Sequence, residues 1–277
     1  HNIQSVRRGL RLELLLATIN KECERAQFLL LTPFIQNARE IARWLGGHNS
    51  DDISLALDWQ PNDRVIGIIQ ASKGQALKGR SFDYILNFES VHTSRKTISI
   101  DERMQIPKST DIIETFSQVN NQSTIAALTA QYLQDRGPVI LMHSRPDWVW
   151  SLAEKLKVEI NTKSKLTDEI RLVQDYLHME LGDQFPLIEL LEYGIGVHHA
   201  GLPDDIRSLM EWLFESEKLK FLVATTTIAQ GVNFPVNAVV LASHQYPYGE
   251  DMPPEDFWNI AGRAGRVNQG QLGVIAL

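Results

Sequence analysis

The sequence predicts an α/β fold built on a parallel sheet covered on both faces, and three observations carry that prediction. From Ile125 onward, stretches with apolar residues three and four apart alternate with short, wholly apolar runs. That alternation is the mark of strands buried on both faces and joined by helical crossovers. The apolar runs also stop in polar loops rich in hydroxyls, histidine and glycine, at the carboxyl ends of the strands, where open α/β sheets bind ligands. Finally, 43% of the 277 residues are hydrophobic, enough to build real cores and too many for a disordered chain.

In chain order, Leu10–Asn20 reads as a helix, with Leu12, Leu15, Leu16 and Ile19 on one stripe. Gln27–Thr32 (QFLLLT) is a continuous apolar run closed by Pro33, the pattern of a buried parallel strand. Asn37 opens a second helix, with Glu40 three residues on as in a capping box, and Gly46-Gly47 stops it. Between Val65 and Ile100 the segments VIGIIQ, FDYILNF and KTISI alternate like β hairpins. From Asp101 to Gln122 the chain turns polar and loses strand signals, so a domain boundary is expected there. Residues 1–100 and 125–277 are then two domains, with 101–124 as linker.

The second half begins with a helix, IAALTAQYLQDR, followed by a strand at Pro138–His143. A helix opens at Ser144 with Pro146 and Asp147 in its first turn. Asn161–Glu192 is helical but polar. A short strand, IGVHH, precedes a helix with Ile206, Leu209, Met210, Leu213 and Phe214 on one stripe. The strands Lys220–Ala224 and Ala238–Ala242, a helix from Glu255 and the strand Gly273–Leu277 complete the chain.

Bulk chemistry excludes several classes. No apolar run approaches the roughly 20 residues of a membrane span, and no cationic-then-apolar leader opens the sequence. The lone Cys23 excludes an internal disulfide framework and a cysteine-based zinc site, which fits an intracellular location. The net charge of -7 allows nucleic-acid binding only through local basic and backbone-amide contacts.

Three segments carry chemistry. Ile260–Arg266 (IAGRAGR) sets two arginines three apart at a helix end beside glycines. The planar guanidinium fork suits phosphate oxygens, although a solvated helix end would explain the segment equally well. Ala224–Pro235 (ATTTIAQGVNFP) puts hydroxyls and a glycine directly after an apolar strand, and alone reads as an ordinary polar loop. In Gly194–Pro203 (GIGVHHAGLP) the adjacent histidines of a strand point to opposite faces. They cannot grip one metal as a helical i, i+4 pair can, so no metal site is expected and a core or backbone-contacting role fits better.

Together VILMHSR, GIGVHHAGLP, VATTTIAQGVNFP and IAGRAGR occur in the order and spacing of the second RecA-like domain of superfamily 2 helicases. The chain resembles most the superkiller-type DExH-box branch. LTPFIQNAREIARWLGG resembles that branch's third motif and its helix, with Thr32, Pro33 and Phe34 in place of the usual Ser-Ala-Thr. His1, Arg8-Gly9 and Leu12-Glu13 match the spacing that follows a DExH box, so His1 is expected to be its last residue. The implied fold is a RecA-like parallel sheet domain preceded by an incomplete first RecA-like domain.

The resemblance implies ATP and Mg²⁺ held between two such domains. Arg263 and Arg266 would reach the γ-phosphate, with Asn259 standing where the family has glutamine. Gly231, Asn233, Gly262 and Thr32 would lie near the nucleotide. Thr225, Thr226, Ser144, Arg145, His199 and Gly201 would hold the backbone of DNA or RNA, independent of base sequence. The implied activity is ATP-driven movement on nucleic acid, 3′ to 5′, with DNA favoured because nothing reads a 2′-hydroxyl. A non-catalytic scaffold that binds nucleic acid or protein is the alternative, favoured by the altered third motif and disfavoured by the paired arginines.

Gly74–Ser81 (GQALKGRS) mimics a phosphate loop, but Arg80 replaces its lysine and a strand-like run follows instead of a helix. A hairpin loop is expected there. The phosphate loop and the acidic pair for Mg²⁺ are expected before residue 1, which would leave these 277 residues inactive on their own.

Overall fold

A computed structural model of the chain describes residues 6–23, 25, 27–30, 38–46, 63–75, 84–94, 101–105, 116–226, 228, 236–245, 250–265 and 272–277. They fall into two units, one of His1–Gln60 with Pro254–Asn259 and one of Pro61–Pro253 with Ile260–Leu277.

In the first unit, α1 (Val6–Glu22) and α2 (Ala38–Gly46) match the expected helices. Each buries one leucine, Leu16 in α1 and Leu45 in α2, while Leu10, Leu14 and Leu15 stay exposed. The strand expected at Gln27–Thr32 is absent from its described part. Residues 27–30 form no regular structure and Leu29 is 82% exposed. An apolar run signals burial, but a strand exists only against a hydrogen-bonding neighbour, and none pairs with it among the described residues.

The second unit is organised by an eight-stranded sheet of order β3-β2-β1-β8-β7-β4-β6-β5. Its strands are β1 (Arg64–Lys73), β2 (Tyr84–Thr93), β3 (Asp101–Gln105), β4 (Val139–Met142), β5 (Ile195–His198), β6 (Phe221–Ala224), β7 (Ala238–Leu241) and β8 (Gly273–Ala276). The strands from β1 to β5 in that order run parallel, and β1, β2 and β3 pair antiparallel. This corrects the expected boundary. The hairpin assigned to residues 1–100 adds to the same sheet as 125–277, because Arg64–Gly67 pair in register with Gly273–Ala276. Alternation reveals a hairpin but not which sheet edge it covers. β3 lies in a stretch read as strandless; its DERMQ sequence has the charged composition that edge strands tolerate.

β4, β5, β6 and β7 are buried along their whole length, each Val, Leu, Ile, Phe or Met side chain contributing about 1.5–3 kcal/mol. The helices that follow are α3 (Phe116–Val119), α4 (Gln122–Leu133), α5 (Pro146–Ile160), α6 (Asp168–Leu181), α7 (Pro186–Glu192), α8 (Asp204–Glu215) and α9 (Pro254–Ala261). Asn121 caps α4 by accepting from the Ser123 and Thr124 amides, and Thr167 caps α6 through the Ile170 amide. α4 packs on β4 and β7, and α5 on β5 and β6, which fixes the direction in which each strand delivers its loop. Gly74 follows β1, whose antiparallel partner is β2, as a hairpin requires; residues 76–81 lie outside the described residues. No helix among the described residues is long and apolar enough to cross a membrane.

Candidate nucleic-acid interface and arginine turn

Three of the polar loops singled out in the sequence leave adjacent strands side by side. β6 lies between β4 and β5, with Ala224 in register with Met142 on one side and His198 on the other. The ladder continues past the strand ends, where the His143 amide donates to the Ala224 carbonyl (3.0 Å) and the Thr225 amide to the His198 carbonyl (3.1 Å). Ser144-Arg145, Thr225-Thr226 and His199–Gly201 therefore emerge along one edge, as parallel strands joined by right-handed crossovers dictate.

Two buried donors lie within those loops. The Ser144 hydroxyl is buried and has no partner among the described residues. His199 Nδ1 accepts the Gly201 amide at 3.1 Å, so the neutral ring carries its proton on Nε2. That Nε2 is buried and also without a partner among the described residues. Burial lowers the pKa of His199, with His198 and Arg207 adding to the effect, so the ring is neutral near pH 7. Native proteins rarely leave buried donors unmatched, and a ligand oxygen is one way to complete them.

The other histidines hold structure. His143 Nδ1 accepts the Ser144 amide at 2.9 Å, and burial pulls its pKa down to about 4. His198 points away from His199 as the strand pleat requires, and its Nε2 meets Glu211 Oε1 at 2.7 Å. Burial lowers its pKa despite that carboxylate. Arg145 Nε and Nη2 donate to the two carboxylate oxygens of Asp147 at 3.0 and 2.9 Å. The Arg145 guanidinium carbon lies 4.9 Å from the centre of the Trp148 ring. Sequence reading missed Trp148, Asp147 and Glu211. The only signal for the first two was their place in the opening turn of α5, and Glu211 on α8 is distant in sequence from the histidine it holds.

Within the IAGRAGR segment, Ile260 and Ala261 end α9 and residues 262–265 form a tight turn after it. Gly262 is exposed, and Arg263 is half-buried with its guanidinium pKa lowered by burial. Its main chain is locked to the sheet: the Val236 amide donates to the Arg263 carbonyl (3.2 Å) and the Gly265 amide to the Val236 carbonyl (2.7 Å). Gly265 has φ +97°, open to glycine and strained for other residues. Asn259 lies half-buried in α9. His1, Thr32, Gly231, Asn233 and Arg266 lie outside the described residues. The described site residues thus form a strand-end row and an arginine turn within the second unit, with Asn259 in the first.

The model of the helicase conserved C-terminal domain matches residues 155–268. Among curated relatives, Hachiman protein HamB of Bacillus cereus is 27% identical over 87% of this chain and 21% of its own length. ATP-dependent DNA helicase Hel308 of Methanocella arvoryzae is 26% identical over 96% of this chain and 32% of its own. DExH-box ATP-dependent RNA helicase DExH14 of Arabidopsis thaliana is 42% identical over 30% of this chain and 4% of its own. The chain thus spans about a third or less of the length of these relatives. The mostly parallel α/β sheet is consistent with a RecA-like helicase C-terminal domain. These likenesses support the resemblance to superfamily 2 helicases of the superkiller-type branch.

Proposed function

We propose that this chain is part of an ATP-dependent helicase or translocase that couples hydrolysis to movement on DNA or RNA, 3′ to 5′. The observation that carries the reading is the row of loops on β4, β6 and β5, with buried donors at Ser144 and His199. Such donors recognise phosphate and sugar oxygens and carry no base code, so binding is independent of sequence. Ser144, Arg145, His199, Gly201, Thr225 and Thr226 form this track.

In the same reading Arg263 and Arg266 stabilise the charge that spreads over the γ-phosphate oxygens in the transition state. Burial already disfavours the Arg263 charge, so an incoming anion would be attracted in a partly dehydrated setting where the attraction is strong. The resemblance assigns nucleotide-binding roles to Asn259, Gly262, Gly231, Asn233 and Thr32, and makes His1 the last residue of a DExH box. ATP and Mg²⁺ are the cofactors. The sequence contains no G-x-x-x-x-G-K-[ST], so in this reading the phosphate loop belongs to another part of the polypeptide. Residues 1–60 then form the end of a first motor domain and residues 61–277 the second.

The reading is tested by measuring binding of fluorescent single strands to the full chain. Homopolymers and mixed sequences should bind within a few-fold of one another, and affinity should fall steeply with salt. His199→Ala should weaken all strands by about tenfold to a hundredfold, the loss of one hydrogen bond to a charged group. Failure to bind any strand, or a hundredfold preference for one sequence, contradicts it.

A further inference from the structure

We propose that Asp147 and Trp148 hold Arg145 flat as a stacking platform for an unpaired nucleobase, so that this edge of the sheet takes single strands in preference to duplex. The inference rests on the strand-binding reading above and changes the role of Arg145 within that track from a backbone contact to a base contact.

The geometry begins at the end of β4. Arg145 is extended, with φ -132° and ψ 146°, and Pro146 starts α5 directly after it. That placement throws Arg145 clear of the helix and puts Asp147 and Trp148 in the first turn beside it. Both carboxylate oxygens of Asp147 take the Nε and Nη2 edge of the guanidinium, which fixes its plane. The guanidinium carbon lies over the Trp148 ring, 4.9 Å from its centre, and that ring is itself braced by His143, with ring centres 4.8 Å apart at 59°. The stack runs outward from a buried ring, His143, through Trp148, 41% exposed, to Arg145, whose side chain is 47% exposed. An exposed ion pair alone would restrain a long arginine weakly. The fork fixes its edge and the ring adds a second contact, so two neighbours restrain it.

The charge decides the ligand. A phosphate arriving at Arg145 would meet the Asp147 carboxylate at 2.9 Å from Nη2, so it would have to displace that carboxylate or be repelled by it. A neutral planar group meets no such obstacle, and stacked guanidinium and aromatic planes bind bases of any sequence. In a duplex those faces are covered by neighbouring base pairs. An unpaired strand offers them, and its backbone would still reach Ser144, Thr225 and His199.

The test measures affinity of the full chain for a mixed-sequence single strand, the matching duplex and an abasic strand of equal length, each at two salt concentrations. Wild type should bind the single strand about tenfold more tightly than either the duplex or the abasic strand. Trp148→Ala should lose about tenfold on the single strand alone with an unchanged salt slope, whereas Trp148→Phe should stay within about threefold. Asp147→Asn, which frees the Arg145 charge, should raise duplex affinity and steepen the salt slope. Equal binding of abasic and base-bearing strands by wild type overturns the proposal without relying on any variant. A Trp148→Ala loss shared equally by duplex also overturns it. Wild type that binds no strand at all removes the functional reading and this inference with it, whereas binding indifferent to Trp148 removes only this inference.

Discussion

His143 shows how a residue outside any catalytic role sets the acid sensitivity of the second unit. Its ring is 6% exposed. Burial pulls its pKa from 6.5 to about 4, against the attraction of Asp147 and with help from Lys155. The unfolded ring takes its proton near pH 6.5, so between that pH and about 4 the unfolded chain binds more protons than the folded one. Stability is therefore complete above pH 6.5 and drains as pH falls toward 4, by about 2 kcal/mol at pH 5 from this ring alone. His198 and His199, whose pKa values burial also lowers, act in the same direction. Urea unfolding at pH 7.5 and 5.0 should show this loss, and His143→Gln should show a smaller one. An equal loss in the variant would contradict the assignment. At this scale the sequence placed Ser144, His199 and Thr225 in loops that follow strands, and those loops emerge side by side. It was blind to Glu211, whose partnership with His198 exists only once α8 packs on β5.

At the scale of elements, two glycines mark close approaches that no local pattern announces. A Cβ on Gly273 would lie 2.6 Å from the Ala264 carbonyl carbon and 2.7 Å from the Gly265 nitrogen. The first residue of β8 thus holds the arginine turn in place by letting its backbone come close. Gly273→Ala should lower stability by about 1–3 kcal/mol and displace Arg263. Gly67 is similarly tight, its Cβ meeting the Phe88 ring at 2.3 Å, but Gly67→Ala should destabilise the hairpin while leaving the arginine turn intact. Urea unfolding together with strand-stimulated ATP hydrolysis in the complete protein separates the two. Loss of hydrolysis in the folded Gly67→Ala protein, with Gly273→Ala unaffected, would contradict the assignment. Buried parallel strands and amphipathic helices were legible because their periods are set by burial. β3 was not, since an edge strand needs no apolar face, and Gln27–Leu30 misled because apolarity says nothing about pairing partners.

For the whole molecule, the sheet redraws the division of the chain. Strands β1, β2 and β3 extend the sheet through β8, so residues 64–105 should share the stability of residues 125–277. Limited proteolysis followed by mass spectrometry should give a resistant piece starting near residue 61. A resistant piece starting after residue 105 would contradict the sheet order. Alternating elements announced a parallel α/β sheet, whereas its extension by an antiparallel hairpin is a long-range pairing that local sequence does not encode. The proposed function also belongs to this scale, because the arginine turn and the row of strand-end loops would make a motor only if hydrolysis and strand binding are coupled.

The most direct test of that coupling is strand-stimulated ATP hydrolysis by the complete protein, wild type against Arg263→Ala, with strand binding measured on the same samples. Hydrolysis should rise when single strands are added and fall about a thousandfold in the variant, while strand affinity changes little. Hydrolysis unaffected by Arg263→Ala, or absent from a folded wild-type protein that still binds strands, would contradict the motor assignment and leave a binding scaffold in its place.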